Sequence, residues 1–212
     1  DFGNIPVDES ASATYTVSAE ESAPAGHTSV LELTYKGENV DPNTKYIEVF
    51  FPDYCYPSAN CSWGDGLTGF ALEDIQNMDN GCSNDNGIEG YGDFTDMSTE
   101  LEPSMTYTVD LETGYSNQEV SLWIDFDYDM QFEDEERLIT DFNLENSGQV
   151  YSTDITLPDD ITPGEKRLRV RANWQDSSAD PCASFSYGET EDYTITIPGS
   201  TLNAAFTSDV TV

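Results

Sequence analysis

Basic residues are scarce in this chain: seven Lys and Arg stand against 42 Asp and Glu, a formal net charge of −35 over 212 residues. A field of that sign repels phosphate backbones and anionic lipid, so neither nucleic acid nor a bilayer surface is an expected partner. Histidine is scarcer still. His27 stands alone, which leaves no Ser-His-Asp or Cys-His arrangement for nucleophilic catalysis. The HExxH, Gly-x-Ser-x-Gly and phosphate-loop motifs are absent as well. A glycosidase needs only two carboxylates at a fixed separation, but among 42 acids no pair stands out. The expectation is a protein that is not an enzyme. No apolar run approaches about 18 residues, so membrane insertion is not expected, and no window holds a convincing amphipathic helix.

Aromatic residues, by contrast, are plentiful: twelve Tyr, ten Phe and three Trp. They supply enough apolar area for a packed core and argue against a disordered acidic tail. The charge is best tolerated where bound divalent cations neutralise it locally and salt screens it, over a Debye length of about 8 Å at physiological strength. Four cysteines, Cys55, Cys61, Cys82 and Cys182, have no Cys-x-x-Cys or Cys/His spacing suited to zinc, so two disulfides and an oxidising compartment are expected. Cys55 with Cys61, flanking Pro57, and Cys82 with Cys182 is the preferred pairing, with the other two connectivities open. The chain opens without an initiator Met or a signal-peptide pattern. It therefore reads as a piece of a longer exported protein, secreted or at the cell surface.

Alternation with period two dominates the chain. Strands are expected around Ala13–Ala19, Leu31–Tyr35, Ile47–Phe51, Met105–Leu111, Val120–Phe126, Ile155–Leu157, Leu168–Ala172 and Tyr193–Ile197. Pro24-Ala25-Gly26, Asp41-Pro42-Asn43 and Thr162-Pro163-Gly164 read as turns. Phe70–Ile75 fits either a helical turn or a strand. Many short strands with Gly and Pro turns imply an all-β fold, an antiparallel β-sandwich or jelly roll tied by disulfides. Residues 1–42 offer two strands, too few to bury a sheet face; 43–198 form the main domain; 199–212 contain a linker and one further strand.

Tyr187-Gly188-Glu189-Thr190-Glu191-Asp192-Tyr193 is similar to the Gly-Glu-Val-Glu-Asp signature of the GEVED domain, with Thr190 in place of Val. Further pieces resemble that family in order: Tyr54-Cys55, Gly81-Cys82-Ser83, Gly90–Thr95, Trp123–Asp129, Arg167–Arg171 and Asp180-Pro181-Cys182. The resemblance implies an accessory module of large secreted or surface bacterial proteins, often beside peptidase, glycosidase or adhesion modules. Residues 1–42 resemble the last strands of an immunoglobulin-like module, and the tail from Leu202 resembles the start of a PKD-type module.

Asp125, Asp127, Asp129, Gln131, Glu133 and Glu136 occupy positions 1, 3, 5, 7, 9 and 12 of an EF-hand-type loop, whose oxygens converge on calcium. Two features depart from that pattern: no helix flanks the loop, and Met130 stands where a sharp turn favours Gly. The family's usual form is Asp-x-Asn-x-Asp-Gly, so Asp127 and Met130 depart from it too. Clustered carboxylates repel one another unless a cation lies among them, and Ca2+ is the expected cofactor.

Parity along the last strand puts Glu189 and Glu191 on the core face with Tyr193, and Arg167, Arg169 and Arg171 on the face opposite Leu168 and Val170. A structural ion pair involving Glu189, Glu191 or Asp192 and Arg169 is expected, since a buried carboxylate must find a cation or donors. Pairing of the inward glutamates would need a bulge or strand end, and a second metal site involving Asp93 or Asp96 is the alternative. Trp63, Trp123 and Trp174 are candidate platforms for stacking on sugar rings. Two functions follow from this inventory. One is a non-catalytic, calcium-stabilised module that binds a polysaccharide or surface ligand. The other is a structural spacer between neighbouring domains of the parent chain, with no ligand of its own.

Overall fold

The computed structural model describes residues 27–37, 40–51 and 53–199. The chain divides into two compact units at the Asp53/Tyr54 boundary. The first contributes an antiparallel hairpin, β1 (His27–Gly37) and β2 (Val40–Phe51), with Gly37 opposite Val40. Asp41-Pro42-Asn43, expected as a turn, lies inside β2. The hairpin reverses before it, and a two-stranded ribbon has only edge strands, where Pro is tolerated. Val30, Leu33, Tyr46 and Ile47 remain exposed. The expected strand at Ala13–Ala19 and the tail from Leu202 lie outside the described residues.

The second unit holds two sheets. Their strands are β3 (Leu67–Leu72), β4 (Ile75–Met78), β5 (Tyr91–Glu100), β6 (Thr106–Thr113), β7 (Gln118–Ile124), β8 (Arg137–Leu144), β9 (Tyr151–Thr156), β10 (Gly164–Trp174) and β11 (Gly188–Ile197). One sheet runs β5-β11-β10-β7-β8 and the other β4-β3-β6-β9. Every pairing is antiparallel except β11 with β5, which is parallel and carries a bulge between Asp192 and Thr194. The all-β expectation holds, and Phe70–Ile75 resolves into the end of β3, a turn and the start of β4.

The alternation explains the sandwich. Val120, Leu122 and Ile124 of β7, Leu168, Val170 and Ala172 of β10, and Tyr193, Ile195 and Ile197 of β11 point inward. They meet Phe70, Leu72, Val109, Leu111 and Ile155 of the opposite sheet in one continuous core. Phe70 and Phe94 both stack on Tyr193, with ring centroids 4.6 and 5.5 Å away.

β7 and β10 are buried on their other face too, where Ser121, Trp123, Arg169 and Arg171 are fully enclosed. Loops cover that face, so its polar side chains read as surface residues in sequence but are interior in space. Gly188 opens β11 at φ +149°, and a Cβ there would collide with the Ala172 carbonyl oxygen.

Cys55 pairs with Cys182, and Cys61 with Cys82. The preferred pairing of Cys55 with Cys61 is therefore wrong. Cys55 and Cys182 enter on two separate segments that converge on one buried guanidinium: Arg169 donates to the carbonyls of both Cys55 and Pro181. In the chain-entropy picture the 127-residue separation of Cys55 and Cys182 is worth about 5 kcal/mol and the 21-residue separation of Cys61 and Cys82 about 3 kcal/mol. Non-reducing peptide mapping should recover these two pairs. Cys55→Ser/Cys182→Ser should lower the melting temperature more than Cys61→Ser/Cys82→Ser.

Candidate functional site

The acidic run after β7 forms a tight loop closed by a short 3-10 turn, Asp134–Glu136. Asp125 is fully buried and already accepts three hydrogen bonds, from the Tyr54 hydroxyl at 2.5 Å and from the amides of Tyr128 at 2.7 Å and Met130 at 3.1 Å. A carboxylate offers about four lone-pair positions, so one remains. Glu136 folds back to accept from the amides of Phe126 at 2.6 Å and Glu133 at 3.3 Å. Burial, only partly offset by these amides, pushes its carboxyl up to about 8, and the charge of Asp125 adds to the rise.

Asp125, Asp127 and Glu136 bring ligand oxygens within 4.8 Å of one another, a cluster that could hold a metal ion. Oxygens bound 2.3–2.6 Å from one ion lie within about 5 Å of each other, so the donor set fits a hard cation. Asp129 and Glu133 do not join the cluster. Asp129 instead accepts from the amide and side-chain nitrogens of Gln131, both at 2.8 Å. Met130 adopts φ +68°, taking the turn position where glycine was expected.

The three arginines of β10 lie on the outer face, as parity requires, beneath loops that follow Asp53, Ile124 and Trp174. Arg169 and Asp192 are cross-strand neighbours. Their pairing is bidentate, with Nε on Oδ1 and Nη2 on Oδ2, each at 2.8 Å and both side chains fully enclosed. Arg167 and the Tyr91 hydroxyl add donors to Asp192 at 3.2 and 2.8 Å. Burial alone would raise the Asp192 carboxyl, but Arg169 and Arg167 outweigh it and hold the group below the usual carboxylate range.

Among the described residues Arg171 has no carboxylate partner. It donates to Thr190 Oγ1 at 2.8 Å and to the carbonyls of Asp180 and Ala183, so burial and then Arg169 push its pKa down. Each guanidinium also meets an aromatic face from a covering loop: Arg167 on Tyr54 at 4.6 Å, Arg169 on Phe132 at 4.7 Å and Arg171 on Phe185 at 3.9 Å. The row is thus fully engaged within the fold. Asp192 is the carboxylate that takes the expected ion pair; among the described residues Glu189 and Glu191 form none.

The candidate tryptophans part company. Trp123 is 0% exposed, enclosed with Tyr54 and Phe132, and offers no face to a sugar, because its strand is covered on both sides. Trp63, 75% exposed, and Trp174 line one cleft of about 200 Å3 with Asp65, Tyr115 and Tyr187. Tyr115 and Tyr187 meet Trp174 edge-on, at centroid distances of 5.9 and 5.7 Å. Two buried polar atoms in this region, Trp174 Nε1 and Gln118 Oε1, have no hydrogen-bond partner among the described residues. The Gln118 amide lies 3.5 Å from Asp65, whose carboxyl is raised by burial. Asp65 could not be chosen in sequence from so many acids; Tyr115 and Tyr187 carried only their aromatic character.

These parts define a two-sheet, disulfide-bonded β module whose chemistry lies in carboxylate clusters and an aromatic cleft. The family model of the GEVED domain matches residues 119–196, from the start of β7 to the end of β11. No curated protein matches the chain.

The Arg169–Asp192 pair makes a clear prediction. A carboxyl depressed in the folded state contributes stability above its unfolded pKa, near 3.9, and that contribution is lost as pH falls through the lower folded value. Glu136, Glu189 and Glu191 are shifted upward, so their contributions change at higher pH and the acid limb reports Asp192. Asp192→Asn should destabilise by about 3–5 kcal/mol at neutral pH, because it leaves a buried guanidinium uncompensated. Thermal melts between pH 2 and 7 should show a shallower acid limb in that variant.

Proposed function

We propose that this domain is a non-catalytic, calcium-stabilised accessory module of a secreted or cell-surface protein, and that it binds polysaccharide at the Trp63–Trp174 cleft. The observation that carries the binding reading is the cleft itself. A largely exposed indole stands beside a second indole propped edge-on by two tyrosines. A buried indole N–H and a carboxamide oxygen nearby lack protein partners. Flat apolar faces with a few polar groups suit a sugar ring, which presents C–H faces and hydroxyl edges. The arginines are all engaged inside the fold and Asp65 lines the cleft, so a neutral polysaccharide is favoured over a sulfated or carboxylated one.

Calcium is supported by the Asp125–Asp127–Glu136 oxygens and by the charge density around them. A cation there would relieve the repulsion between Asp125 and Glu136. It would also brace the loop that supplies Phe132 to Arg169 and receives the Tyr54 hydroxyl.

Two experiments test these readings separately. In affinity electrophoresis and pull-downs on neutral polysaccharides, Trp63→Ala and Trp174→Ala should each weaken binding at least tenfold, about 1.4 kcal/mol. Trp63→Ala should leave the melting temperature unchanged. Uniformly negative binding by the wild-type domain would replace this reading with that of a spacer. For calcium, a hundredfold excess over Kd should stabilise by about 2.7 kcal/mol. Asp127→Asn should remove the acidic loop's share of that gain without unfolding the domain, because Asp127 is exposed. Magnesium should substitute poorly, since it prefers a tighter six-ligand shell.

A further inference from the structure

The inward face of β11 carries two buried carboxyl groups that meet no basic side chain among the described residues. Glu189 and Glu191 flank Thr190, whose hydroxyl turns outward to Arg171, so both glutamates point into the sandwich and both are fully buried. Every basic side chain of residues 54–199 is engaged elsewhere. Arg137 meets Asp134 and Lys166 meets Thr162; Arg167 and Arg169 hold Asp192; Arg171 is taken by Thr190 and loop carbonyls.

Donors do not make up the difference. Glu191 accepts from Asn80 Nδ2 at 2.7 Å and from the Tyr193 hydroxyl at 2.8 Å. Glu189 accepts from the Ser83 amide at 2.8 Å through Oε1, with the Ser83 hydroxyl and the Leu67 amide also acting on the carboxyl group. Its Oε2 is buried with no hydrogen-bond partner among the described residues. Asn80 Oδ1, on the same carboxamide that reaches Glu191, is buried and without a donor as well. Two buried carboxylates and an orphaned carboxamide oxygen form an acceptor set with too few donors. Leaving such groups unmatched in a core costs several kcal/mol.

The surroundings make room for this arrangement. Gly66, at φ +153°, lets Glu189 approach: a Cβ there would lie 2.5 Å from Glu189 Oε2 and 3.3 Å from the Cys61 Cβ. The Cys61–Cys82 disulfide brings Gly66 and Ser83, each near one of its cysteines, to the same carboxylate.

We infer that Glu189, Glu191 and Asn80 hold a second hard divalent cation, separate from the acidic loop and dependent on none of its residues. Oxygen-only ligands and two negative charges select an ion of the calcium class over a soft transition metal. The cation supplies the positive charge and the coordination that Glu189 Oε2 and Asn80 Oδ1 otherwise lack.

The test is the number of calcium ions retained by the disulfide-intact domain, counted by native mass spectrometry and by titration calorimetry. Wild type should hold two, the Glu189→Gln/Glu191→Gln variant one, and Asp127→Asn one. Asn80→Ala, which removes no charge, should weaken one site at least tenfold and leave the other unchanged. If Asp127→Asn keeps the wild-type count while the glutamine variant loses an ion, the inner site stands and the loop reading fails. The inference is overturned if the glutamine variant, or Asn80→Ala should glutamine replacement prevent folding, binds calcium as wild type does. It is also overturned if chelated wild type equals calcium-loaded Asp127→Asn in melting temperature at every pH, since a retained proton would then satisfy the pair.

Discussion

The fold of the larger unit depends on one buried interaction, the bidentate pairing of Arg169 with Asp192 across β10 and β11. Taking both charges out of water costs several kcal/mol per ion before any attraction is counted. That cost is offset only because every donor of the guanidinium finds an acceptor: two carboxylate oxygens, the carbonyls of Cys55 and Pro181, and the Cys55 sulfur. Those carbonyls flank the Cys55–Cys182 disulfide, so the ion pair and the covalent staple fix the same two segments. Phe132 lies on the same guanidinium, which extends the arrangement to the acidic loop. The outer face of the sheet becomes a second, polar core.

In so acidic a chain, the informative carboxylates are the buried ones, because exposed acids are solvated and screened. They differ in how completely they are answered. Asp192 has two guanidinium partners and a tyrosine hydroxyl. Asp125 has a hydroxyl and two amides, Glu136 two amides. Glu189 and Glu191 have the least relative to their burial. The places where compensation falls short are those where the chemistry calls for a cation. One lies at the mouth of a loop and the other inside the sandwich.

Much of this architecture was legible in the alternation of β6, β7, β10 and β11, because each has one apolar face and a strict period of two. Strands β5 and β8 were not. Tyr91–Glu100 has few apolar residues and pairs parallel across a bulge, and Arg137–Leu144 shifts register twice against β7. Parity correctly put the glutamates inward and the arginines outward. Sequence could not show that loops close over the outer face, so Arg169 and Trp123 read as accessible side chains and are interior. The acidic run was legible as a cluster, but which of its members converge depends on a backbone that turns at Tyr128 and Met130 with positive φ. The cysteine pairing failed for the same reason: the partner of Cys55 is set by Arg169, more than a hundred residues away in sequence.

The acidic loop, the arginine row and the disulfide-linked loops form one physical unit, joined through Phe132, Tyr54 and the Cys55–Cys182 disulfide. Hydrogen–deuterium exchange with and without calcium tests this coupling most directly. Calcium should slow exchange in residues 125–136 and also in residues 54–62 and 176–187, which Arg167, Arg169 and Arg171 hold, while β9 is unaffected. Protection confined to residues 125–136, or absent altogether, would contradict this coupling.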